Sequence, residues 1–408
     1  MEITGDEIRR RMVEFESLDP GGLVVEGARI VGQLDLSDVV AKRPLVLRDC
    51  TTELPVVLDR AQFALLDLSR LVAPMVRANR LTVDHDLRLS GARLTSEEEY
   101  ALHARGIRVG GSLYLDEDFN ATGTVELNGA RIGAVLYCRG AQLRGNGGAG
   151  AALYAVDLHV GSAVFLSNGF SAVGTGRYAA VRIRGAKIDG QLILRDGRFS
   201  SSDTALDLRH VQVGTELLMP FDGIEGQVQL EGLTYQGLPR DATVDEWLSL
   251  LSTRTPNYST QPWVQLADAH AAAGNERDVR RIRVAQQRDL RRRGQLSRWG
   301  RTWHFVRGVT VGHGYRPALA LLWLAGVLAL SVGIVTLSGA VRCSAVEQVG
   351  YALNVATPLV KVDAGRCTVA PSSAGQFVLA STWLLQILAW AFATLFVAGF
   401  TGLVRRNA

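Results

Sequence analysis

A ten-residue pattern recurs between Gly27 and Met219 and restricts the fold more than any other feature of the chain. Positions 2, 4, 8 and 10 of the pattern are mostly apolar, and other residue types lie between them. Clear copies begin at Gly27, Arg80, Gly106, Gly129, Asp157, Gly185 and His210. The gap after the first copy is about two units long and contains a degraded copy at 61–68. A period of about 25 residues is typical of a solenoid, in which each repeat packs only on its neighbours.

Apolar residues at every second position predict strands, because successive side chains of a strand point to opposite faces. Glycine near position 6 permits a sharp corner between two strands, and the variable stretch before the next copy can hold a third. We therefore expect a mainly β solenoid, a parallel β-helix of about eight coils, roughly 40 Å long at about 4.8 Å per coil. The helical spacing of Ile8, Met12 and Phe15 predicts a helix that caps the first coil, since an uncovered edge invites aggregation.

Position 3 of the copies predicts an outward basic row. It consists of Arg29, Arg108, Arg131, His159 and Lys187. Like charges on neighbouring coils repel, so the row requires acidic residues nearby or an acidic partner. A solvated face neutralised by adjacent Asp and Glu is the simpler of these two interpretations.

Position 9 predicts an apolar row on the outside, although positions 8 and 10 should point inward. After Asp35 and Arg88, this aromatic stripe consists of Tyr114, Tyr137, Phe165, Ile193 and Leu218. Exposed apolar stripes are typical of contact surfaces, so we expect a second copy of the chain, a cytoplasmic protein or the later helices against it. Burial under the loops between repeats is the alternative.

The pattern becomes helical after the repeats. Two helical faces separated by the breakers Gly274 and Asn275 predict a helical hairpin. The first face consists of Trp263, Leu266, Ala267 and His270, and the second of Val279, Ile282, Gln286 and Leu290.

A basic run follows, with 12 arginines and three acidic residues between Glu276 and Arg316. Its position before an apolar run makes anionic lipid headgroups a simpler partner than nucleic acid. Within it, Trp299 and Trp303 lie on one helical face, and Arg298, Arg301 and Arg307 lie off that face. This pattern predicts a helix in the membrane interface, with packing against the hairpin as the alternative.

Two long uncharged apolar runs end the chain. The first extends from Pro317 to Val341 and the second from Cys367 to Val404. About 20 apolar residues suffice to span the hydrocarbon layer of a bilayer. Six arginines flank the pair of runs and three cations lie between them, and no apolar signal region follows Met1. We therefore expect a cell-membrane protein with two spans and both termini in the cytoplasm.

The four cysteines divide between the two parts of the chain. Cys343 and Cys367 flank the loop between the apolar runs, outside the cytoplasm, where a disulfide persists, so we expect them to pair. Two unpaired thiols are the alternative. Cys50 and Cys138 lie in the cytoplasmic part and should be reduced packing residues.

The loop between the runs also contains a capping box, Ser344 and Glu347. It predicts a helix from Ala345 to about Ala356. A span, a short helix, an extended stretch and a second span also follow one another in the pore domains of two-span channels. Ion conduction is therefore one alternative function.

No catalytic or metal-binding constellation is visible in the sequence. Gly145, Gly147 and Gly150 have the spacing of a dinucleotide-binding turn, but the segment after them reads as a solenoid strand where that motif requires a helix. The histidines are scattered and do not pair with cysteine or carboxylate at metal-ligand spacing. We expect a non-enzymatic protein that uses no cofactor and no metal.

The chain resembles a group of actinobacterial membrane proteins. The likeness rests on the repeats GARIVGQLDL and GAKIDGQLIL, the hairpin LADAHAAAGNERDVRRIRVAQQRDLRRRG and the closing segment AGFTGLVRR. Those proteins combine a pentapeptide-like β-helix with a two-span carboxyl terminus and are often labelled membrane-associated oxidoreductases. The resemblance implies this architecture and membrane attachment, and it assigns no catalytic residue. The solenoid here departs from a strict five-residue repeat.

These patterns divide the chain into five parts. They are a helical cap at 1–22, a cytoplasmic β-helix at 23–238, a helical linker at 239–294, an interfacial helix at 295–314, and a two-helix transmembrane domain at 315–408 with an extracytoplasmic loop at 342–373. The leading expectation is a membrane-anchored scaffold or interaction module that forms a homo-oligomer. A channel or transport element, and an oxidoreductase as the family label implies, are the alternatives.

Overall fold

The computed structural model describes residues 1–14, 21–147, 150–239, 242–294, 318–356, 367–369 and 371–406. They belong to two compact units, Met1–Ile282 and Arg283–Ala408. The first unit is a β-solenoid of about nine turns followed by helices, one turn more than the sequence predicted.

Two sheets of parallel strands form the wall of the solenoid. The 14-stranded sheet contains Glu2–Thr4, Arg29–Val31, Thr51–Thr52, Val56–Val57, Val72–Ala73, Val76–Arg77, Arg93–His103, Asn120–Glu126, Gln142–Arg144, Leu153–Tyr154, Ser171–Val173, Val181–Arg182, Arg198–Asp207 and Ile224–Gln229. The 16-stranded sheet contains Leu23–Glu26, Val40–Arg48, Gln62–Asp67, Thr82–Val83, Leu87–Arg88, Arg108–Val109, Leu113–Tyr114, Arg131–Ile132, Leu136–Tyr137, His159–Val160, Val164–Phe165, Lys187–Ile188, Leu192–Ile193, Gln212–Val213, Leu217–Leu218 and Thr234–Tyr235.

Each full coil contributes four short strand segments, not the three that the sequence predicted. In the coil that begins at Arg80, they are Thr82–Val83, Leu87–Arg88 and the two ends of Arg93–His103. Thr82 pairs with Gln62 of the preceding coil, so the shortest coil is two copies of the ten-residue pattern and each copy forms two of its four sides. The other two sides lie in the variable stretch. Loops of unequal length separate these two strand segments, so the sequence shows no fixed period there.

Left-handed backbone marks the corners of the coil. The first residue of each clear copy of the pattern has φ between 54° and 71°, including the non-glycine residues Arg80, Asp157 and His210. A turn with positive φ at its third residue favours glycine there, which explains Gly106 and its equivalents. The copy at Gly27 pairs within the 14-stranded sheet, whereas the later copies pair within the 16-stranded sheet. The ten-residue pattern therefore builds half a coil, and it can build either half.

Helix α1, Gly5–Glu14, covers the first coil as predicted. Ile8 and Met12 of this helix are buried. Arg9 donates a hydrogen bond of 2.5 Å to the carbonyl of Asp35 in the first coil. Phe15, the third predicted contact, lies outside the described residues. The helix therefore occupies the position that a preceding coil would take.

Helices also cover the last coil. Helix α2, Val244–Ser249, continues as a π-helical turn, Leu250–Arg254, and a 3-10 turn, Phe221–Gly223, precedes the last strands. Trp247 is buried; its ring lies 6.1 Å from that of Tyr235 and makes an edge contact with that of Phe221. Both ends of the described solenoid are thus closed by helical segments.

The predicted hairpin is present. Helix α3 spans Thr260–Ala272, Gly274 turns the chain with φ of 75°, and helix α4 spans Glu276–Arg293. The buried residues on this part of the chain include Trp263, Leu266, Ala267, His270, Ile282 and Gln286, all of them predicted face residues.

The second unit contains helices α5, Ala318–Leu337, α6, Ala345–Ala356, and α7, Ser373–Arg406. A two-residue antiparallel pairing joins Val341–Arg342 to Thr368–Val369. Among the described residues, one stretch, Gly375–Thr394, is long and apolar enough to cross a membrane, and Leu321–Leu337 is a shorter apolar helix. The second span and the orientation of the termini stay predictions.

Candidate interaction surface

The aromatic stripe forms one continuous row on the outside of the solenoid. Parallel pairing places Tyr114 beside Tyr137, Tyr137 beside Phe165, and Phe165 beside Ile193, with Leu218 next. All five side chains are half-buried, whereas the flanking residues of the pattern, such as Leu113 and Leu115, are fully buried. At about 4.8 Å per coil, the row is roughly 19 Å long.

The rings of the stripe stack on one another. The ring centroids of Tyr114 and Tyr137 lie 4.9 Å apart, and those of Tyr137 and Phe165 lie 5.5 Å apart at an interplanar angle of 4°. Such pairs contribute about 0.5–1.5 kcal/mol beyond their buried area. The guanidinium of Arg139 lies 4.0 Å from the centre of the Phe165 ring and covers part of it. Stacking explains why apolar residues are tolerated at these outward positions.

The basic row has four members in register rather than five. Arg108, Arg131, His159 and Lys187 follow one another on the 16-stranded sheet. The prediction that Arg29 belongs to this row is wrong. Its strand pairs with Thr51 in the other sheet, because both halves of a coil carry the same ten-residue pattern.

Charge compensation along the basic row is uneven. Asp189 lies 3.2 Å from Nε2 of His159 and 3.2 Å from Nζ of Lys187, and hydrogen bonds from His159 and then Lys187 lower the pKa of Asp189. Arg108 and Arg131 lie on adjacent coils, and neither makes an ion pair with any residue that the structure describes. The expected neutralisation by acidic neighbours therefore covers only half of the row.

The predicted disulfide is present. Cys343 and Cys367 are bonded, with their Cα atoms 5.1 Å apart. The Ser344–Glu347 capping box is also present: the Glu347 amide donates to Ser344 Oγ at 3.4 Å, and the Ser344 amide donates to the Glu347 carboxylate at 3.0 Å. Helix α6 spans the predicted residues, and Ala352 and Val378 pack in one buried cluster with the cystine. This part of the loop is folded.

One cluster of the described His, Cys, Asp and Glu side chains has the spacing of a metal site. Its members are Cys343, Glu347 and Cys367, whose ligand atoms lie within 4.8 Å of one another. Both sulfur atoms belong to the disulfide, so neither is a thiolate ligand. Cys50 and Cys138 are free and buried, and burial raises the pKa of each thiol, as expected of packing residues.

The glycine cluster belongs to the wall of the solenoid. Gly145 follows the strand Gln142–Arg144, and its carbonyl accepts a hydrogen bond of 2.9 Å from the hydroxyl of Thr175. The next element is the strand Leu153–Tyr154. A dinucleotide turn requires a helix at this place to receive the pyrophosphate. The surrounding structure therefore does not match the fingerprint.

The interfacial residues Trp299, Trp303, Arg298, Arg301 and Arg307 lie outside the described residues, so their role stays a prediction. Sequence reasoning also missed the fourth row of the coil. That row contains His103, Glu126, Tyr154, Arg182 and Asp207 in register. Each strand segment of this row has only one buried apolar residue and one outward residue, and a loop of variable length precedes it, so it carries no recognisable period.

The stacked coils and their helical ends define a β-solenoid protein with an outward aromatic stripe. Comparisons of this chain with protein-family models, with curated proteins and with solved structures found no match.

Proposed function

We propose that this protein is a membrane-anchored scaffold whose cytoplasmic β-solenoid binds a second copy of itself through the aromatic stripe. The observation that carries the proposal is the unbroken outward row from Tyr114 to Leu218. Surface positions of a solenoid are ordinarily polar, and an apolar row of this length is typical of a protein contact.

Helix α7 supports the membrane anchor. Only 28% of its Gly375–Thr394 window is buried, whereas the core helix of a soluble protein is mostly buried. Phe377, Trp383, Leu384 and Ile387 are each more than 60% exposed. Apolar side chains of this size require lipid or another protein around them. Two spans, Ala318–Leu337 and part of Ser373–Arg406, would place both termini on the same side, and the six flanking arginines favour the cytoplasmic side.

A second copy is the occupant that best fits the stripe. A twofold axis near Tyr137 and Phe165 would place the same apolar row on both sides of the contact, which is the self-complementarity that a symmetric dimer requires. Anchoring in one membrane would also raise the effective concentration of copies, so that a modest contact area suffices.

The oligomeric state in detergent tests this proposal. Tyr137→Asp and Phe165→Asp place a charge in the middle of the stripe, and we expect either variant to have the mass of a monomer where the unaltered protein has that of a dimer or larger assembly. Gln212→Asp is the matched control, because it adds one negative charge at an exposed residue that pairs with Lys187, away from the stripe. The same mass for all four proteins would refute assembly through the stripe.

One contact favours ion conduction as a second candidate. The hydroxyl of Ser331, in the second half of α5, donates a hydrogen bond of 3.3 Å to the carbonyl of Ala352 in α6. Helix α6 therefore folds back beside α5. If α5 spans the membrane, α6 would enter the bilayer from the outer side without crossing it, in the order of elements that two-span channels have.

Ion flux separates the two candidates. The protein reconstituted in liposomes would pass a monovalent cation under an applied voltage if α6 lines a pore. Ser331→Leu should then change the flux, whereas Thr336→Leu, at an exposed position of the same helix, should not. An absence of flux at several voltages and pH values would leave the scaffold as the function.

A further inference from the structure

The fourth row of the solenoid borders an open cleft with a volume of about 640 Å³. We call it the Glu126 cleft. Its lining includes Glu99, Arg105, Glu126, Tyr154 and Tyr178. Small-molecule sites in proteins commonly have volumes of about 300–1,000 Å³. The cleft lies on a different row from the aromatic stripe, so it is independent of the proposed dimer.

The floor of the cleft is a buried carboxylate. Glu126 is 4% exposed, and its Oε1 accepts a hydrogen bond of 2.5 Å from the amide of Asn128. Nε2 of His103 lies 2.9 Å from Oε2, but Oε2 accepts no aligned hydrogen bond from the residues that the structure describes. Oε2 has almost no surface that solvent can reach, so the nearby imidazole of His103 is its polar neighbour.

Tyrosine rings form the wall beside this carboxylate. Tyr154 pairs in register with Glu126, so it lies on the next coil. Its ring centroid lies 5.8 Å from that of Tyr178, at an interplanar angle of 12°. The guanidinium of Arg182 lies 4.9 Å from the centre of the Tyr178 ring and holds the pair in place. A flat aromatic face thus stands next to a hydrogen-bond acceptor.

The donors and acceptors of the cleft select the class of ligand. Arg105, Arg177 and Asn128 offer donors, whereas Glu99 and Glu126 offer acceptors. Two arginines and two carboxylates balance each other's charge, so the cleft favours neither an anionic nor a cationic ligand. Hydroxyl groups donate and accept, and the C–H face of a sugar ring packs on an aromatic ring. We propose that the Glu126 cleft binds a neutral saccharide.

Calorimetric titration of the full-length protein tests this proposal. The protein is kept in a detergent without a sugar headgroup, and the probes are glucose, N-acetylglucosamine, myo-inositol and cellobiose. Inorganic phosphate and choline serve as charged comparators. Because the cleft is open, we expect dissociation constants on the order of 1 mM for at least one neutral probe and none in this range for the comparators.

Two variants test the assignment of residues. Tyr178→Ala removes a ring from a loop, and Glu126→Gln keeps the shape of the floor while removing its charge; each should weaken binding about tenfold or more. Gln212→Ala, at an exposed residue that pairs with Lys187, should leave binding unchanged. Failure of every neutral probe to bind at about 20 mM, preferential binding of phosphate or choline, or unchanged affinity in both folded variants would overturn the proposal.

Discussion

The side-chain amide of Gln265 donates a hydrogen bond of 2.7 Å to the backbone carbonyl of Tyr235, in the last strand of the solenoid. Gln261 does the same for Leu233 at 2.8 Å and also accepts a hydrogen bond from the amide of Gly232. Two glutamines of helix α3 therefore satisfy backbone groups that another coil would otherwise pair. An open parallel edge is a template for aggregation, and this helix blocks it.

Replacing both glutamines tests this edge protection. Gln261→Leu with Gln265→Leu leaves buried carbonyls unpaired, and we expect a loss of about 1–3 kcal/mol of stability for each site, measured by urea unfolding. The variant should also aggregate faster than the unaltered protein on mild heating. Gln227→Leu, at an exposed residue of the strand Ile224–Gln229, is the control. It should change neither the stability in urea nor the rate of aggregation.

Much of this architecture follows from residue patterns, because the determinants are local. Alternating apolar residues predict the parallel β-helix, and the breakers at Gly274 and Asn275 predict the hairpin. The Ser344–Glu347 capping box predicts the bounds of helix α6. In each case the residues that carry the pattern are neighbours in the chain and interact with one another.

The errors arise where distant segments meet. Arg29 matches the pattern of the basic row, yet it pairs in the other sheet, because the same ten residues build either half of a coil. Glu126 and Tyr178 are distant in the chain and meet at the cleft only because loops of unequal length bring different coils together. No periodicity in the sequence records how such loops stack.

Asp67 should make the solenoid sensitive to acid. Arg48 Nε donates a hydrogen bond of 2.8 Å to Oδ2 of Asp67. The backbone amide and the hydroxyl of Ser69 donate hydrogen bonds to Oδ1 of Asp67. Burial acts to raise the pKa of Asp67, but the hydrogen bonds from Ser69 and Arg48 outweigh it, so the pKa lies below its ordinary value. Because the pKa of Asp67 is lower in the folded than in the unfolded state, the ionised carboxylate stabilises the folded protein above about pH 3.9. This stability is lost as the pH falls through the folded pKa.

Asp67→Asn checks this contribution. At pH 7 the variant should be less stable by about 1.5–3 kcal/mol, because a charged hydrogen-bond acceptor is lost. The difference should shrink below about pH 4, where the unaltered protein loses the same interaction. Urea unfolding at several pH values measures it. A difference that stays constant down to about pH 2 would contradict the assignment, and Asp222→Asn, at an exposed acid, is the control.

His270 should give the helical hairpin a separate pH dependence. It is buried in α3, and its Nδ1 lies 3.9 Å from Oδ2 of Asp278 in α4. Burial lowers the pKa of His270, and the charge of Asp278 opposes this effect only in part. Since the folded pKa is below the unfolded value of about 6.5, the stabilisation is full above about pH 6.5 and is lost as pH falls through the folded pKa.

Thermal unfolding between about pH 8 and pH 5 detects this effect. The melting temperature of the solenoid unit should stay level down to about pH 6.5 and fall below it, and His270→Leu should flatten the profile. His210→Leu, at an exposed histidine, should retain the slope. Parallel profiles for the His270 variant and the unaltered protein would show that another group titrates.

The disulfide should stabilise the second unit. Cys343 and Cys367 are separated by 24 residues, and closing a loop of this size restrains the unfolded chain by roughly 3 kcal/mol in the chain-entropy model. The double variant Cys343→Ser with Cys367→Ser should therefore be cleaved faster by trypsin between the two positions, where Lys361 and Arg366 lie. Reduction of the unaltered protein should reproduce the effect. Equal cleavage rates would show that packing around α6 alone holds the loop.

A column of glycines lies against the backbone of the preceding coil. A Cβ atom on Gly133 would lie 2.0 Å from the carbonyl oxygen of Gly110, and one on Gly161 would lie 2.2 Å from that of Gly133. Close contact between coils therefore favours glycine at position 5 of these copies, although Asp84 and Asp189 occupy that position in two others. Gly133→Ala must push two backbones apart, which costs about 1–3 kcal/mol or more.

Gly129→Ala is the matched variant. Gly129 has φ of 64°, but a Cβ there meets nothing within 4 Å. The only cost is left-handed backbone, about 1–2 kcal/mol, and Asp157 shows that an equivalent corner accepts a side chain. Urea unfolding should therefore rank Gly133→Ala as the more damaging of the two. The reverse order would mean that corner conformation, rather than the approach of neighbouring coils, selects glycine in this solenoid.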